Sequence, residues 1–463
     1  MVHHQALTAT EMDTLRRLER LPISWVQGRL LLMGGLGYTF DAANNAVLAF
    51  ILPSVAALFG LSNTQTGLLG SSILIGYLFG AFFAGTLGDL IGRKKVMMYA
   101  PALYCIGGIL GACSQTFGFL FCTRVIVGFG TGAESAIVAP FLAEFIQSKY
   151  RGRYLGSLSG FFAFGFVLAA LLGYAVVPAT KTGWRIVQVL TALPTVMLLW
   201  WRRTMPESPR WLIQQGRSMQ AEQVVSVMES EVRHRVGGSL PDMASVPNQP
   251  VSMRRGGSFV ENLRALWSPK LARTTAMLWV LWISITFSYY GFFTWIPTLL
   301  VKHGLTITKG FAYSIVIYVA QIPGYYSAAF LSEKLDRKWT IILYMLAGGI
   351  SAFLMANARG EKMITIFGFF LSFFMNGTYA GIYAYTPEVY PTAFRATGMG
   401  VASAFGRIGG ILAPIIIGFT FAKIGFAGVF MITTAVLILG AFTVGAMGIS
   451  TTGKTLEQIN EMA

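Results

Sequence analysis

The stretch GTLGDLIGRKK, Gly85–Lys95, decides the fold once it is set beside AAFLSEKLDRKW, Ala328–Trp339. At a constant offset of 244 positions, Asp89 falls on Glu333, Arg93 on Arg337 and Lys94 on Lys338. The register extends outward without a gap: Pro53 matches Pro297, Glu144 matches Glu388, Arg151 matches Arg395 and Gly156 matches Gly400. Charged residues and helix punctuators repeated inside a mostly apolar chain predict two structural halves of like orientation, the parallel-repeat architecture of many membrane transporters.

Composition agrees. Of 463 residues, 54% are hydrophobic and only 12% charged, too few polar side chains to cover a soluble globule of this size. Mean hydropathy is +0.61. Apolar runs long enough to cross a hydrocarbon core of ~30 Å are expected at 30–55, 66–88, 95–114, 117–142, 152–176, 184–203, 271–300, 308–331, 338–358, 362–387, 394–420 and 425–448. The expected fold is an all-α membrane protein with 12 transmembrane helices in two six-helix parallel repeats. Its parts are a cytoplasmic N-terminal segment (1–29), an N-terminal bundle (30–203), a linker with short helices (204–270), a C-terminal bundle (271–449) and a tail (450–463).

The formal charge of +16 reports topology rather than a nucleic-acid partner. Basic residues gather at Arg16–Arg20, Arg93–Lys95, Lys149–Arg153, Arg202–Arg273 and Lys334–Lys338, on one predicted side, while the other carries only a few, among them Lys181, Lys302 and Lys423. The positive-inside pattern places both termini in the cytoplasm. No cleaved signal peptide is expected, because the first apolar run is too long for one. Cys105, Cys113 and Cys122 have no metal-ligand spacing and read as packing residues. All four histidines lie outside the predicted spans, so a histidine proton relay is not expected; nor is any metal, cofactor or enzymatic nucleophile.

A carboxylate at a helix end, a turn and then an Arg-Lys pair can bond neighbouring helix ends in one packing and release them in another. The expected gating set is therefore Asp89, Arg93, Lys94, Glu144 and Arg151 in the first half, with Glu333, Arg337, Glu388 and Arg395 in the second. The second copy has Ala329, Ser332 and Asp336 where the first has glycines.

With these residues in view, the chain resembles the major facilitator superfamily: GTLGDLIGRKK is similar to its signature loop. PESPRWL, Pro206–Leu212, and the tail TGKTLEQIN resemble the sugar porter and organic ion transporter branch. More narrowly, FSYYGFFTWIP (Phe287–Pro297), AQIPGYYSA (Ala320–Ala328) and AYTPEVYPTAFRATGMGVASAFGRIGGILAP (Ala384–Pro414) resemble the bacterial niacin transporter group. The resemblance implies alternating access, a central cavity among spans 1, 4, 7 and 10 flanked by 2, 5, 8 and 11, and secondary active uptake of nicotinate. It also implies a multi-pass protein of the inner (cytoplasmic) membrane, working as a monomer.

Ionisable residues within spans are functional candidates by default. Four stand out: Asp41, Arg124, Glu134 and Arg407. Asp41 and Arg124 are expected to pair, either as a proton-coupling site, as in sugar-proton symporters, or as a permanent structural pair. Glu134 is the second candidate proton carrier. Arg407, within AFGRIGG, suits a carboxylate anchor, with a structural bond to backbone carbonyls or to Glu388 as the alternative. Helical stripes of polar and aromatic residues complete the expected substrate site: Ser372, Asn376, Tyr379 and Tyr383; Ser314, Tyr318, Gln321 and Tyr325; Tyr289, Tyr290, Phe293 and Trp295; Phe40, Asn44 and Asn45. Such a lining fits an aromatic monocarboxylate better than a hexose. Other aromatic acids, nicotinamide, an organic cation, a sugar, or a sensor that does not transport remain open at this point.

Overall fold

This computed structural model describes residues 8–191, 197, 200, 204–236, 240–241, 259–391 and 395–451. Among them every regular element is a helix. The N-terminal half contains α1 (Ala9–Glu19), α2 (Trp25–Leu58), α3 (Asn63–Ile91), α4 (Arg93–Ala112), α5 (Phe117–Ala143), α6 (Ser148–Val176) and α7 (Gly183–Leu190). Three shorter helices follow, α8 (Pro209–Gln214), α9 (Ser218–Val236) and α10 (Phe259–Leu266). The second half comprises α11 (Ala272–Lys302), α12 (Ile307–Val319), α13 (Gln321–Lys334), α14 (Arg337–Ala356), α15 (Glu361–Val389) and α16 (Arg395–Met447).

Among the described residues, ten helical runs are long and apolar enough to cross a membrane. They account for the expected spans, with one span described only in part and the last two counted as a single run. The run expected at 184–203 is described only in part, since 192–196, 198–199 and 201–203 lie outside the described residues. The runs expected at 394–420 and 425–448 are two helices that meet at Gly425, whose φ 61° and ψ −165° break helical geometry inside Arg395–Met447. The Gly/Pro/Ser-rich part of the linker and the TGKTLEQIN tail also fall outside the described residues.

Local sequence explains where the helices begin. Ser24 and Ser62 form capping boxes with Gln27 and Gln65, and the Thr116 and Thr306 hydroxyls accept from the Phe119 and Lys309 amides. The turn after α2 needs Gly60 at φ 61°, and its repeat mate Gly304 sits at φ 103°.

The 244-residue echo is realised in three dimensions. A methyl group added to Gly80 of α3 would strike the Phe129 backbone of α5; one added to Gly324 of α13 would strike the Phe373 backbone of α15. Both seams hold the helices at backbone contact, as small residues permit. The signature loop repeats as well: Gly92 and Asp336 both have positive φ, 101° and 114°.

α1, α8 and α9 cover one end of the first bundle, the near face. There Arg17 and Arg20 both donate to Glu229 at 2.6 Å, and the Ser218 hydroxyl donates to Glu11 at 2.6 Å. The opposite, distal end is where the halves meet. Ser71 Oγ donates to the Ile411 carbonyl at 2.6 Å, Lys302 donates to Asn63, and Phe50 packs edge-on against Phe311. Gly67 and Gly418 bring the two backbones together there; a Cβ on Gly67 would lie 3.3 Å from the Gly418 Cα.

Candidate functional site

Near the middle of the bundle, one cation lies against a tyrosine of α3, with three further tyrosines from α11 and α15 close enough to act on its charge. α16 carries Arg407 twelve residues past its start, about 18 Å along the helix. Its guanidinium lies 4.1 Å over the Tyr77 ring of α3, a cation–π contact. Tyr290, Tyr379 and Tyr383 are near enough for their oxygens to act on its charge. Among the described residues no ion pair to Arg407 is formed, and Glu388, its alternative partner, binds Arg337 at 3.2 Å instead. Arg407 and Tyr383 are deep in the bundle yet partly exposed, Tyr383 by 41%. Deep groups that remain exposed line a cavity.

Gly132 places Tyr77: a methyl there would meet the Tyr77 Cα at 2.7 Å, so α3 and α5 approach closely enough to hold the phenol at the cavity. The expected aromatic stripes do converge. Tyr289 lies edge-on to Tyr290 at 5.3 Å and to Tyr379 at 5.1 Å, and 4.5 Å from Phe293. Tyr379 and Tyr383 are stacked at 6.2 Å. Hydrogen bonds hold two phenols in place: Tyr289 donates to Gln321 Oε1 at 3.0 Å, and Tyr379 bonds the Thr286 hydroxyl at 3.1 Å. Gln321 Nε2 and the Ser372 and Ser288 hydroxyls are buried without protein partners, leaving polar capacity inside the bundle. Asn376 spends its amide on the Ser372 carbonyl at 3.3 Å, and Tyr325 stands beside Ser159 across the halves.

Several expectations change. Phe293 is 1% exposed and packs among Phe166, Phe292 and Tyr318, behind the phenols rather than at the cavity surface. Trp295 is fully buried; its indole donates to the Pro414 carbonyl at 3.1 Å and stacks on Phe421, so it packs α11 against α16. Asn44 is 1% exposed and donates to the Phe40 carbonyl at 3.0 Å. Cys113 and Cys122 are exposed, and only Cys105 is a packing residue.

The expected Asp41–Arg124 ion pair is absent from this structure. Asp41 accepts from Ser135 of α5 and from Asn45 at 3.1 Å. Arg124 donates to Gln188 of α7 at 2.6 Å, and its Nε and Nη1 are buried without partners. Ser135 is eleven residues beyond Arg124 on the same helix, about 16 Å in depth, which no side chain spans. The reason is the length of α2. It continues seventeen residues past Asp41 to Leu58, so Asp41 lies deeper than a shorter span implies. Glu134 is wholly buried beside Tyr104, with neither carboxyl oxygen meeting hydrogen-bond geometry.

Some of the residues expected to gate form parallel clusters. Arg93 pairs with Glu144 at 3.6 Å, and the repeat mates Arg337 and Glu388 pair at 3.2 Å. Arg151 does not pair with Glu144; it donates to the Ala143 and Ile146 carbonyls, at 3.1 and 3.3 Å, where α5 leaves its last carbonyls open. Glu207, of the PESPRWL stretch, accepts from the Lys94 backbone amide at 3.1 Å and so caps α4. Glu333 is exposed, and the side chains of Asp89 and Arg395 lie outside the described residues. A separate near-face cavity of about 450 Å³, lined by Arg29, Glu207 and Glu231 among others, has no aromatic lining to hold a flat ring.

An all-helical bundle with repeated halves that meet at the distal end and around a polar mid-depth site has the architecture of a membrane transporter. Residues 26–463 match the family described as "Sugar (and other) transporter", and the chain belongs to that family, a branch of the major facilitator superfamily. It is a multi-pass membrane transporter, not an enzyme. The chain is 38% identical over 449 residues to the niacin transporter NiaP of Acinetobacter baylyi, covering 97% of this chain and 100% of the relative. It is 34% identical to the putative niacin/nicotinamide transporter NiaP of Bacillus subtilis, covering 94% and 99%. Its fold is similar to that of the xylose transporter XylE from E. coli in a partially occluded inward open conformation. There the TM-score is 0.76 at 19% identity, covering 93% of this chain and 100% of the other.

Proposed function

We propose that the protein imports nicotinate together with a proton across the cytoplasmic membrane, by alternating access of two six-helix halves with both termini in the cytoplasm. It works as a monomer and needs no cofactor. The observation that carries this reading is Arg407, a permanently charged guanidinium exposed to a mid-depth cavity and ringed by Tyr77, Tyr290, Tyr379 and Tyr383. The guanidinium supplies paired donors for a carboxylate, and the phenols supply faces for a flat ring and hydroxyls for its nitrogen. The names of two full-length relatives support the same substrate.

Substrate contacts are assigned to Arg407, Tyr290, Tyr379 and Tyr383, with Tyr289, Gln321, Asn376 and Tyr325 shaping the walls. Asp41 and Glu134 are the proton carriers. Arg124 and Gln188, with Asn44 close by, form a polar group near the distal end whose partners change when the halves rock. Arg93–Glu144 and Arg337–Glu388, together with Asp89, Lys94, Arg151, Glu333 and Arg395, form the near-face gate, which favours one of two packings.

Nicotinamide is the second reading, favoured by the name of the Bacillus relative. It lacks the carboxylate that would justify an unpaired cation at the site. Proteoliposomes with an inside-alkaline gradient, offered labelled nicotinate, nicotinamide, benzoate and glucose, decide between the readings. Nicotinate accumulates above its external concentration if the proposal holds. Accumulation of nicotinamide alone overturns the substrate, and binding without flux identifies a sensor.

A further inference from the structure

Arg407, Tyr77, Ser135 and Asp41 lie in succession from one half of the molecule to the other. Arg407 of α16 sits over the ring of Tyr77 on α3 at 4.1 Å. α3 and α5 are in backbone contact at Tyr77 and Gly132, one turn before Ser135 on α5, and Ser135 is near enough to act on the Tyr77 phenol. The Ser135 hydroxyl donates to Asp41 on α2. The α2–α5 junction is held in register there, since the Tyr38 phenol donates to the Ser135 carbonyl at 3.0 Å.

We propose that Ser135 and Tyr77 are positioning residues that link carboxylate binding at Arg407 to protonation of Asp41. This rests on the proposed uptake of nicotinate with a proton, and it adds how the two events sense each other. With the site empty, no carboxylate among the described residues pairs with Arg407, and the hydroxyls point one way: Tyr77 toward Ser135, Ser135 toward Asp41. A bound carboxylate neutralises Arg407, and Asp41 takes up a hydrated proton (hydronium) from the side of entry, leaving neutral water. The Asp41 hydroxyl then donates to Ser135, the Ser135 hydroxyl turns toward Tyr77, and the Tyr77 O–H is released toward the cavity. No bond other than the new Asp41 O–H forms, and one proton enters with one anion. Linkage makes the effect reciprocal, so protonation tightens substrate binding as much as substrate favours protonation.

The groups facing Asp41 from each packed element fit this role. They are Tyr38 on its own helix, Tyr77 on α3, Tyr104 on α4, Glu134 on α5 and Arg407 on α16. Arg407 is the cation among them and the one that a substrate carboxylate would neutralise. Arg124, on the same helix as Ser135 but three turns away, is not in the chain.

The test is nicotinate binding to the full-length purified protein as a function of pH, over a range where nicotinate is ionised. Wild type is expected to bind about tenfold tighter per unit fall in pH, the slope for one linked proton. Ser135→Ala and Tyr77→Phe, the latter keeping the ring under Arg407, are expected to reduce that slope to less than threefold per unit. Ser135→Thr, which keeps the hydroxyl, is expected to restore it. Variants that keep the wild-type slope overturn the relay while leaving proton-coupled nicotinate uptake standing. A wild-type protein whose binding shows no pH slope overturns the relay together with proton coupling, and one that binds no nicotinate at any pH overturns the substrate as well.

Discussion

Asp336 sits at φ 114°, a conformation in which the first repeat has Gly92. An L side chain there is strained, and Asp336 offsets the strain through its carboxylate: Oδ1 accepts from the Lys338 amide at 2.7 Å and Oδ2 from the Thr451 amide at 3.1 Å. One residue therefore caps α14 and holds the end of the described chain against it. Asp336→Ala keeps the strain and loses both bonds, so thermal unfolding should reveal a destabilisation of about 2 kcal/mol. Asp336→Gly should recover part of it. Arg407→Ala removes the cation facing the cavity and is expected to weaken nicotinate about 10- to 100-fold, measured by isothermal titration, from the ~1.5–3 kcal/mol of charged hydrogen bonds. An unchanged dissociation constant would remove Arg407 as the anchor. Arg407 was legible because a charge within an apolar span is costly unless a cavity or partner receives it. Tyr77, Ser135 and Gln188 were not, because a serine, a glutamine or a tyrosine in a membrane helix has too many ordinary uses to stand out.

The short helices add a clasp that the apolar pattern does not announce. α1 is fastened to α9 by Arg17 and Arg20 on Glu229, a carboxylate only 6% exposed. Burial alone would raise its pKa, but the hydrogen bonds and charges of the two arginines outweigh that and leave it below the ordinary carboxylate range. The docked state therefore binds fewer protons than the free one. Its stabilisation is complete above the ordinary carboxylate pKa of about 4.3 and is lost as pH falls through the lowered value. Hydrogen exchange of residues 9–19 against pH should show protection disappearing in that acidic window. Glu229→Ala should abolish the protection at neutral pH, at a cost of about 1–2 kcal/mol, since the arginines remain partly solvated. At the other end of the chain, two apolar runs were legible between 394 and 448, and the structure joins them at Gly425, whose φ 61° and ψ −165° end one helix and open the next.

The two halves share a scaffold and divide the chemistry. Ser135 of α5 meets Asp41 of α2, and the positions 244 residues later are Tyr379 of α15 and Ile285 of α11. There Tyr379 bonds Thr286, the neighbour of Ile285, so the same helix crossing carries a carboxylate in one half and an aromatic wall in the other. Asn45 and Tyr77 likewise correspond to Tyr289 and Gln321, which are hydrogen-bonded to each other. The proposed alternating access requires the distal seam at Gly67, Ser71, Ile411 and Gly418 to part. Gly67→Leu puts a branched side chain where 3.3 Å separates a Cβ from the Gly418 Cα, and should hold that seam open. Transport should then be lost while a cysteine at Ser71 becomes reactive to an impermeant maleimide from the distal side. Unchanged reactivity would show that the seam is not the distal gate.

By itself the sequence determined the membrane class, the paired halves and the charged clusters that repeat in both of them. These follow from one-dimensional quantities: apolar run length, the side on which basic residues gather, and repetition at a constant offset, each of which the bilayer or the repeat converts directly into geometry. The partners of the buried charges were decided only by the tertiary structure. Depth along a helix depends on how far that helix extends beyond the residue, and α2 runs far enough past Asp41 to carry it away from Arg124 and onto Ser135. Which side chains share a cavity is likewise set by packing between helices, with glycines such as Gly132 fixing the approach that brings Tyr77 under Arg407.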